Sequence, residues 1–396
     1  MNKNFPSNFL WGAATSAYQV EGNNYNSDWW EWEQKRGLES SGLACNHYNL
    51  FQEDFERAKD LNHNAHRLSL EWSRLEPQEG NFNTKEINHY LRVFKALREK
   101  GFKVMLTLHH FTLPLWLAKE GGFLHSKSVF YFTRFTELAV KKFSDYVDFW
   151  ITINEPNVFA SHGYLAGDWP PGKKSFWQYK KVINRLAECH KQAYKKIHAL
   201  LPEAQVGIAK NYIYFDAASS PLDKLACKIA KKIWNNEFYK KTKGCHDFLG
   251  INYYFHYKIQ AQLAPPFYKM ENTASDTRNN TISDLGWEIY PEGLYQILWE
   301  LKKFNLPIYI TENGLADQKD KYRAQFITQH IEMIQKAIAQ NIDVRGYFYW
   351  SLIDNFEWAR GFSPRFGLIG IDYDTQERTV RPSAQVYTDI IKQYTT

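Results

Sequence analysis

The feature that most constrains the fold of this chain is a regular alternation of short apolar runs with longer amphipathic segments. Eight runs, rich in β-branched and aromatic side chains, alternate with segments of helical periodicity. The runs lie at residues 9–14, 66–72, 103–108, 149–153, 205–209, 248–254, 308–311 and 344–350. No linker or low-complexity stretch interrupts the 396 residues. The pattern predicts an α/β fold, a single (β/α)8 TIM barrel in one domain spanning residues 1–396.

Helical periodicity and turn-forming residues define the segments between these runs. The predicted helices lie at residues 51–61, 87–100, 129–143, 179–200, 291–304 and 322–339. The stretch 261–283 is polar and shows neither helical nor strand periodicity, so it is predicted to be an insertion loop.

Two of the predicted strands end at a glutamate. Asn154 and Glu155 follow one run, and Glu312 and Asn313 follow another. In a parallel barrel the active site lies at the C-terminal ends of the strands, and strands four and seven lie on roughly opposite sides. One strand-end glutamate alone is more often a surface charge or an ion-pair partner. Two in the same setting favour cleavage of a glycosidic bond, which uses a pair of carboxyl groups.

Other polar and aromatic side chains close to the predicted strands would meet at the same mouth. Amides, imidazoles, carboxylates and indoles are groups that hydrogen-bond to and stack on sugars. The set comprises Gln19, Glu21, Arg67, Trp72, His109, His110, Trp116, Asn154, Glu155, Asn252, Tyr254, Glu312, Asn313, Trp350, Asp354, Glu357 and Trp358. The aromatic content of 17% fits either apolar platforms in a sugar cleft or an aromatic-rich core.

Charge and cysteine usage argue against several classes of partner. The net charge of +6 comes with scattered lysine pairs rather than a basic run, so no nucleic-acid partner is expected. No run approaches roughly 18 apolar residues and no apolar signal segment begins the chain, so a cytoplasmic location and no membrane partner are expected. Cys45, Cys189, Cys227 and Cys245 lack paired spacing and are expected to be reduced thiols.

Four stretches resemble the sequence signatures of family 1 glycoside hydrolases, the β-glucosidase type. TINEP at 152–156 and ITENG at 310–314 contain the two glutamates. FLWGAATSAYQVEG at 9–22 is similar to the N-terminal signature, and WSLIDNFEW at 350–358 is similar to the C-terminal one. The resemblance runs in order from about residue 5 to residue 388, across almost the whole chain.

The resemblance implies a retaining β-glycosidase that hydrolyses terminal, non-phosphorylated β-glycosides or oligosaccharides by double displacement. The implied activity is that of a β-glucosidase, with β-galactosidase or β-fucosidase side activity. Glu312 would be the nucleophile and Glu155 the acid/base residue, with carboxyl groups roughly 5–5.5 Å apart. Arg67, Asn252 and Tyr254 would support Glu312 and keep it ionised. Glu155, with no cation beside it in sequence, would stay protonated near neutral pH.

The resemblance also assigns a sugar site. It comprises Gln19, His110, Asn154, Glu357 and Trp358, with Trp350 as a stacking floor and Trp287 on the aglycone side. Asn154 would hydrogen-bond the sugar 2-hydroxyl. Glu357 would accept hydrogen bonds from neutral hydroxyls and repel a 6-phosphate. Glu155 stands where thioglucosidases of the family have glutamine.

Departures from the family pattern concern the aglycone side, where His109 replaces a frequent Tyr and Phe111 a frequent Trp. The histidine pairs lack a third ligand at a recognisable spacing and family members need no metal, so neither metal nor cofactor is expected. The alternatives are a transglycosylase with the same intermediate, a 6-phospho-β-glycosidase and a non-catalytic sugar-binding barrel. The sequence leaves open the sugar epimer, the aglycone and the oligomeric state.

Overall fold

The structure is a computed structural model that describes residues 5–262, 268–272 and 281–395. Its strands are β1 (Leu10–Ala14), β2 (Ala65–Ser69), β3 (Lys103–His109), β4 (Phe149–Asn154), β5 (Gln205–Ala217), β6 (Leu249–Ala261), β7 (Tyr268–Asn272), β8 (Ile308–Asn313), β9 (Val344–Trp350), β10 (Ile369–Ile371) and β11 (Arg378–Val380). Eight of them form a closed parallel barrel in the order β1-β2-β3-β4-β5-β6-β8-β9, with β9 paired back to β1. The predicted (β/α)8 barrel is confirmed.

Helices surround the barrel and fill the connections between its strands. They are α1 (Ala17–Glu21), α2 (Asp28–Arg36), α3 (His47–Asp60), α4 (Trp72–Leu75), α5 (Thr84–Glu99), α6 (Leu115–Lys119), α7 (Ser128–Phe143), α8 (Pro156–Ser161), α9 (Phe176–Leu200), α10 (Pro221–Lys231), α11 (Glu237–Lys241), α12 (Pro291–Leu301), α13 (Arg323–Ala339) and α14 (Pro382–Thr395). Single π-helical turns at His162–Ala166 and Lys232–Asn236 continue α8 and α10. The six predicted helices are present as α3, α5, α7, α9, α12 and α13.

The eight predicted strands are present, but β5 and β6 are much longer than the sequence indicated. Each has 13 residues, and the two remain paired beyond the barrel rim as far as Ala217 and Ile259. β7 adds to the extended part of β6 in antiparallel orientation, within the stretch predicted to be an insertion loop. The rest of that predicted loop falls partly on residues 263–267 and 273–280, which lie outside the described residues. The extension forms a raised wall at one side of the mouth.

The apolar core lies in two places. A large layer fills the space between the strands and the helices. A smaller cluster fills the barrel interior and includes Leu10, Ala14, Ala65, Met105, Ile151, Ala209, Phe248, Tyr309 and Phe348. Because these side chains close the interior, polar groups can gather only above them, at the C-terminal mouth.

The four cysteines are free thiols, as predicted. Among the described residues, no helix is both long and apolar enough to cross a bilayer.

Candidate active site

Irregular backbone geometry turns both strand-end glutamates toward the barrel mouth. In β8, Tyr309 packs inside the barrel while Ile308 and Ile310 pack outside it. The pairing registers with the strands on both sides shift beyond Ile310, and bulges of this kind re-aim side chains. Glu155 follows a similar shift in β4 and adopts a left-handed backbone with φ 42°. Both glutamates line one cavity.

The cavity has a volume of about 540 Å³, and its walls combine polar side chains with many apolar ones. Ten residues assigned from sequence line it: Gln19, His110, Asn154, Glu155, Tyr254, Trp287, Glu312, Trp350, Glu357 and Trp358. Arg67 and Asn252 are buried behind this wall and hydrogen-bond residues in it. The structure therefore brings all twelve predicted site residues together.

Glu312 is held between a cation and a phenol. Nη1 of Arg67 lies 2.5 Å from Oε1 of Glu312, and the hydroxyl of Tyr254 donates to Oε2 at 2.6 Å. Arg67 is itself fixed, because it donates to the Thr311 carbonyl at 3.0 Å and to Oδ1 of Asn154 at 2.7 Å. Glu312 thus lies in a buried charge-assisted ion pair with an added phenolic hydrogen bond.

Glu155 lies among amides instead. Its Oε1 accepts from Nδ2 of Asn252 at 2.9 Å and from Nδ2 of Asn211 at 3.2 Å. Burial and the nearby charge of Glu312 raise the pKa of Glu155 to about 8. The Glu155 carboxyl group therefore keeps its proton at neutral pH.

The side chain of Asn252 hydrogen-bonds Glu155, whereas its backbone is the register partner of Glu312, the residue with which the sequence analysis grouped it. Its amide nitrogen donates to Glu155, and its oxygen accepts from the Thr311 hydroxyl at 2.6 Å. The register between β6 and β8 shifts at Asn252, which carries its side chain across to the acid. Asn252 also holds the strand that carries Glu312, because it accepts a hydrogen bond from the preceding residue Thr311.

Asn154 and His110 form a polar pair between the two carboxyl groups and the sugar pocket. Nδ2 of Asn154 lies 3.2 Å from Nε2 of His110. Burial, reinforced by the charge of Arg67, holds the pKa of His110 well below its usual range, so the imidazole is neutral. Because the amide donates to Nε2, the ring hydrogen is on Nδ1, which has no partner among the described residues.

The end of the pocket near β9 is lined by Glu357 and by the rings of Trp350, Trp358 and His110. Nε1 of Trp350 donates to Oε1 of Glu357 at 3.2 Å. Burial raises the pKa of Glu357 to about 8. The ring of Trp358 is stacked on Tyr18, with centroids 5.7 Å apart, and His110 stacks beside Trp350 at 6.0 Å. Rigid rings around one carboxyl group match the apolar faces and polar edge of a pyranose.

Gln19 is buried, and its side chain is already committed to the protein. Nε2 donates to the Phe356 carbonyl at 2.9 Å and to Oδ1 of Asn355 at 3.0 Å, while Oε1 accepts from the Ser16 hydroxyl at 2.6 Å. Its amide oxygen retains a lone pair for one further hydrogen bond. Gln19 therefore fixes the loop after β9 and can contact sugar through Oε1.

The outer part of the cavity is more apolar than the sugar pocket. Trp287 contacts the rings of Tyr254 and Phe366 there, with centroids 6.0 and 6.3 Å away. Further apolar lining comes from Val158, Leu165, Ile213, Trp234, Met270 and Leu285. Phe111 also lines the cavity and contacts Trp169 and Trp358. The outer wall can hold an apolar leaving group.

The sequence analysis missed Lys210, Asn211 and Trp234. Lys210 is fully buried, and its ammonium group donates to the Asn211 carbonyl at 2.9 Å and the Trp234 carbonyl at 2.7 Å. Nε1 of Trp234 donates to Oδ1 of Asn211 at 3.2 Å, so the amide that binds Glu155 is held from two directions. Burial lowers the pKa of Lys210 to about 7. The strand-end rule would have found Lys210 and Asn211 if β5 had been extended beyond Ala209, whereas Trp234 lies in the π-helical turn after α10 and not at a strand end.

Six residues of the wider sequence set support the site from behind instead of lining the cavity. Glu21 pairs with Arg74, and Asp354 pairs with Arg365 and Arg381. Trp72 and Trp116 hydrogen-bond Glu76, Asn313 bridges Tyr253 and Tyr347, and His109 packs among phenylalanines. Their contacts fix the loops that carry the site residues.

Comparison with known proteins shows which family this chain matches. The profile of glycosyl hydrolase family 1 matches residues 1–243 and 229–395. A β-galactosidase from Pyrococcus woesei is 33% identical, with 98% of this chain and 97% of that protein covered. β-Glucosidase A from Thermotoga maritima is 32% identical, with 98% of each chain covered.

Solved structures show the same relationship. A β-glycosidase from Pyrococcus horikoshii superposes with a TM-score of 0.94 at 37% identity, covering 100% of this chain and 99% of that one. A β-glucosidase from Thermotoga maritima in complex with glucoimidazole superposes with a TM-score of 0.93 at 31% identity, covering 99% and 100%.

Proposed function

The chain belongs to glycosyl hydrolase family 1, and we propose that Glu312 is its nucleophile and Glu155 its acid/base residue. The protein is a β-glycosidase, an O-glycosyl hydrolase, and enzymes of this family retain the anomeric configuration. Retention results from two successive displacements at one carbon, each with inversion.

The observation that carries this assignment is the contrast between the two carboxyl groups. Glu312 pairs with Arg67 and accepts from Tyr254, so it is available as an anion. Glu155 lies among amides, and burial, with the charge of Glu312, raises its pKa to about 8. One carboxyl group that keeps its proton and a second one paired with a guanidinium supply the acid and the nucleophile that the first step needs.

In the first step, Glu155 protonates the glycosidic oxygen while Glu312 attacks the anomeric carbon. The bond from that carbon to the leaving oxygen breaks, and an ester bond to Glu312 forms. As negative charge leaves Glu312, the Arg67 guanidinium keeps its hydrogen bonds to Asn154 and Thr311. These contacts keep the cation in place while the charge beside it changes.

In the second step, the ionised Glu155 takes a proton from water. The water oxygen attacks the anomeric carbon, the ester bond to Glu312 breaks, and the free sugar leaves with its original configuration. Asn211 and Asn252 donate to Glu155 and therefore stabilise it most strongly in this charged form. Their hydrogen bonds make the alternation between acid and base possible at one residue.

The sugar pocket supports a non-phosphorylated glycone. Glu357 occupies the end of the pocket beside Trp350 and Trp358. Neutral hydroxyl groups can donate to its carboxyl oxygen, and its elevated pKa of about 8, due mainly to burial, also allows it to donate. A phosphate group would lie against this acid and would force it to remain protonated. A terminal β-glucoside is the proposed preferred substrate, with β-galactosides and β-fucosides as secondary ones.

A chemical rescue experiment tests the two roles. Glu155→Ala should still form the glycosyl-enzyme with an activated 2,4-dinitrophenyl β-glucoside but should hydrolyse it slowly. Added azide needs no general base, so it should attack the intermediate and release β-glucosyl azide. In Glu312→Ala the intermediate cannot form, and we expect a loss of turnover of about 10⁴-fold or more, with no β-azide product.

Glu332→Ala, which removes an exposed carboxylate from α13, is the matched control and should be unchanged. Near-normal turnover by either active-site variant, or β-azide from the Glu312 variant, would refute the assignment.

A further inference from the structure

Helix α10 has two apolar faces of different character. Its inward face carries the small residues Ala226, Cys227 and Ala230, which pack on Ile213, Phe215 and Ile259 of the extended strands. Its outward face carries large aliphatic side chains, with Leu222 exposed to 61%, Leu225 to 55%, Ile229 to 43% and, just beyond α10, Ile233 to 39%. An ordinary surface helix directs its large apolar side chains to the core. These four outward side chains, called the outward stripe below, therefore do not belong to the apolar core.

Lysines lie directly beside this stripe. Lys224, Lys228 and Lys232 are exposed and recur every four residues, so they form a second row along the same helix. Asp223, the acidic residue of α10, is buried, where it caps the helix and accepts from the Ala261 backbone. Across residues 221–233, all of which are described, the exposed face thus combines aliphatic and cationic side chains without a carboxylate.

The helix is already formed and fixed to the protein. Ser220 and Asp223 form a capping box at its N-terminus, and Lys231 pairs with Glu300 of α12 at 2.8 Å. Docking therefore needs no folding step, because the conformational entropy of the helix was already lost when the protein folded.

These features favour one occupant. We propose that the outward face of α10 docks on an anionic lipid surface. Aliphatic side chains enter the boundary between headgroups and acyl chains, and the lysine row contacts the anionic headgroups. A second copy of this chain fits less well, because a symmetric contact brings the lysines of both faces together without a compensating carboxylate from either.

Such docking is compatible with the absence of a long apolar segment. The expectation of no membrane partner rested on the lack of a run that could span a bilayer, whereas a helix lying in the interface needs no such run. The stripe ends at Ile233, and the next residue, Trp234, lines the site cavity. Met270 of β7 also lines the cavity and is 49% exposed. Docking would thus hold the apolar outer part of the cavity beside the lipid.

Vesicle binding by the full-length protein tests this proposal. The probes are vesicles of phosphatidylglycerol with phosphatidylcholine, compared with phosphatidylcholine alone, in cosedimentation at low salt. We expect binding to the anionic vesicles, weakened by added salt. Leu225→Gln with Ile229→Gln should weaken binding about tenfold or more. The triple variant K224E/K228E/K232E should weaken it about 100-fold or more.

A matched triple variant, K59E/K95E/K142E, makes the same change in net charge with exposed lysines of α3, α5 and α7. It should bind far better than the α10 triple variant. Hydrolysis of a water-soluble aryl glycoside should be unchanged in all variants, which confirms that they fold. Three outcomes overturn the proposal: no binding of the parent to anionic vesicles, equal effects of the two triple variants, or a parent dimer that the Leu225/Ile229 variant dissociates.

Discussion

The ammonium group of Lys210 donates to the carbonyl oxygen of Trp234, 2.7 Å away, and so ties β5 to the π-helical turn that lines the cavity. The same group donates to the Asn211 carbonyl, and Asn211 binds the acid/base candidate Glu155. A lysine that does not line the cavity is thus connected to both the leaving-group wall and the acid.

Replacing Lys210 with Met should reduce kcat/KM for aryl glucosides about 10- to 100-fold, because Asn211 and Trp234 lose a shared anchor. The alkaline limb of the pH profile should stay near pH 8, because burial lowers the pKa of Lys210 to about 7 and its charge is largely lost before Glu155 titrates. Pre-steady-state kinetics and the pH dependence of kcat/KM test both expectations.

Lys210→Gln is the informative comparison, because it keeps a donor but removes the charge. Partial recovery of the rate would show that the hydrogen bonds of residue 210, rather than its charge, hold Asn211 and Trp234. If Lys210→Met changed only the thermal stability and left kcat/KM unchanged, a positioning role would be excluded.

The alkaline limb of kcat/KM should fall above about pH 8. Burial and the charge of Glu312 raise the pKa of Glu155 to about 8, and the protonated form is the one that can assist departure of the leaving group. Glu357 also has a pKa raised by burial to about 8, so two groups titrate together.

Two variants show whether Glu155 or Glu357 causes the alkaline limb of kcat/KM. With a phenyl glucoside, whose leaving group needs protonation, Glu357→Gln should retain the limb. With a 2,4-dinitrophenyl glucoside, whose leaving group needs no acid, glycosyl-enzyme formation by the parent and by Glu155→Gln should both lack it. The opposite result would make Glu357 the titrating group that governs the rate.

Glu357→Gln should lower kcat/KM for unmodified β-glucosides about 10- to 100-fold, the effect of losing a hydrogen bond to a charged or strongly polar group. The ratio of activities on 6-phospho-β-glucoside and β-glucoside should rise above about pH 8, where ionised Glu357 repels a phosphate and glutamine does not. A panel of nitrophenyl glycosides, with and without the 6-phosphate, gives this ratio directly. A falling ratio would contradict the role given to Glu357.

Asp28→Asn should stabilise the fold at neutral and alkaline pH. Asp28 accepts from the Leu113 backbone at 2.8 Å, and burial raises its pKa from 3.8 to about 8. The unfolded chain therefore releases this proton at lower pH than the native protein, so the stability contributed by protonated Asp28 declines between about pH 4 and pH 8. An asparagine keeps the acceptor and has no proton to lose.

We expect the free energy of unfolding of the Asp28→Asn variant to exceed that of the parent by about 1–3 kcal/mol at pH 8, with little difference near pH 4. Thermal melting across this pH range measures the difference, and Asp60→Asn on the exposed side of α3 is the control. A gain that does not depend on pH would show that ionisation of Asp28 is not the cause.

Much of the barrel and its site was predictable because the informative residues stand at strand ends in short, characteristic segments. Glu155, Glu312 and the residues around Trp350 were found this way. β5 was cut short because its apolar run changes at Lys210, and the run that resumes at Tyr212 was not joined to it. Asn211 lies in the omitted part of β5 and was therefore not predicted as a site residue.

The partners of individual site residues were harder to infer. The hydrogen-bond partner of the Asn252 side chain depends on a register shift between β6 and β8. Such a shift depends on how two strands that are distant in sequence pair. Glu21 and Asp354 share the strand-end location of the true site residues, yet arginines from other segments hold them in the scaffold. Chain position gives the rim on which a residue lies but not the direction of its side chain.

The raised wall formed by β5, β6 and β7 has a consequence for how enzymes of this kind can diversify. The sugar pocket rests on strands whose pairing closes the barrel, so changes there put the whole architecture at risk. Ile213 and Met270 instead stand on the projecting part of the sheet, beyond the closed ring. Mutations in that projection can accumulate and test new leaving groups while the inherited chemistry and the folding of the barrel are preserved.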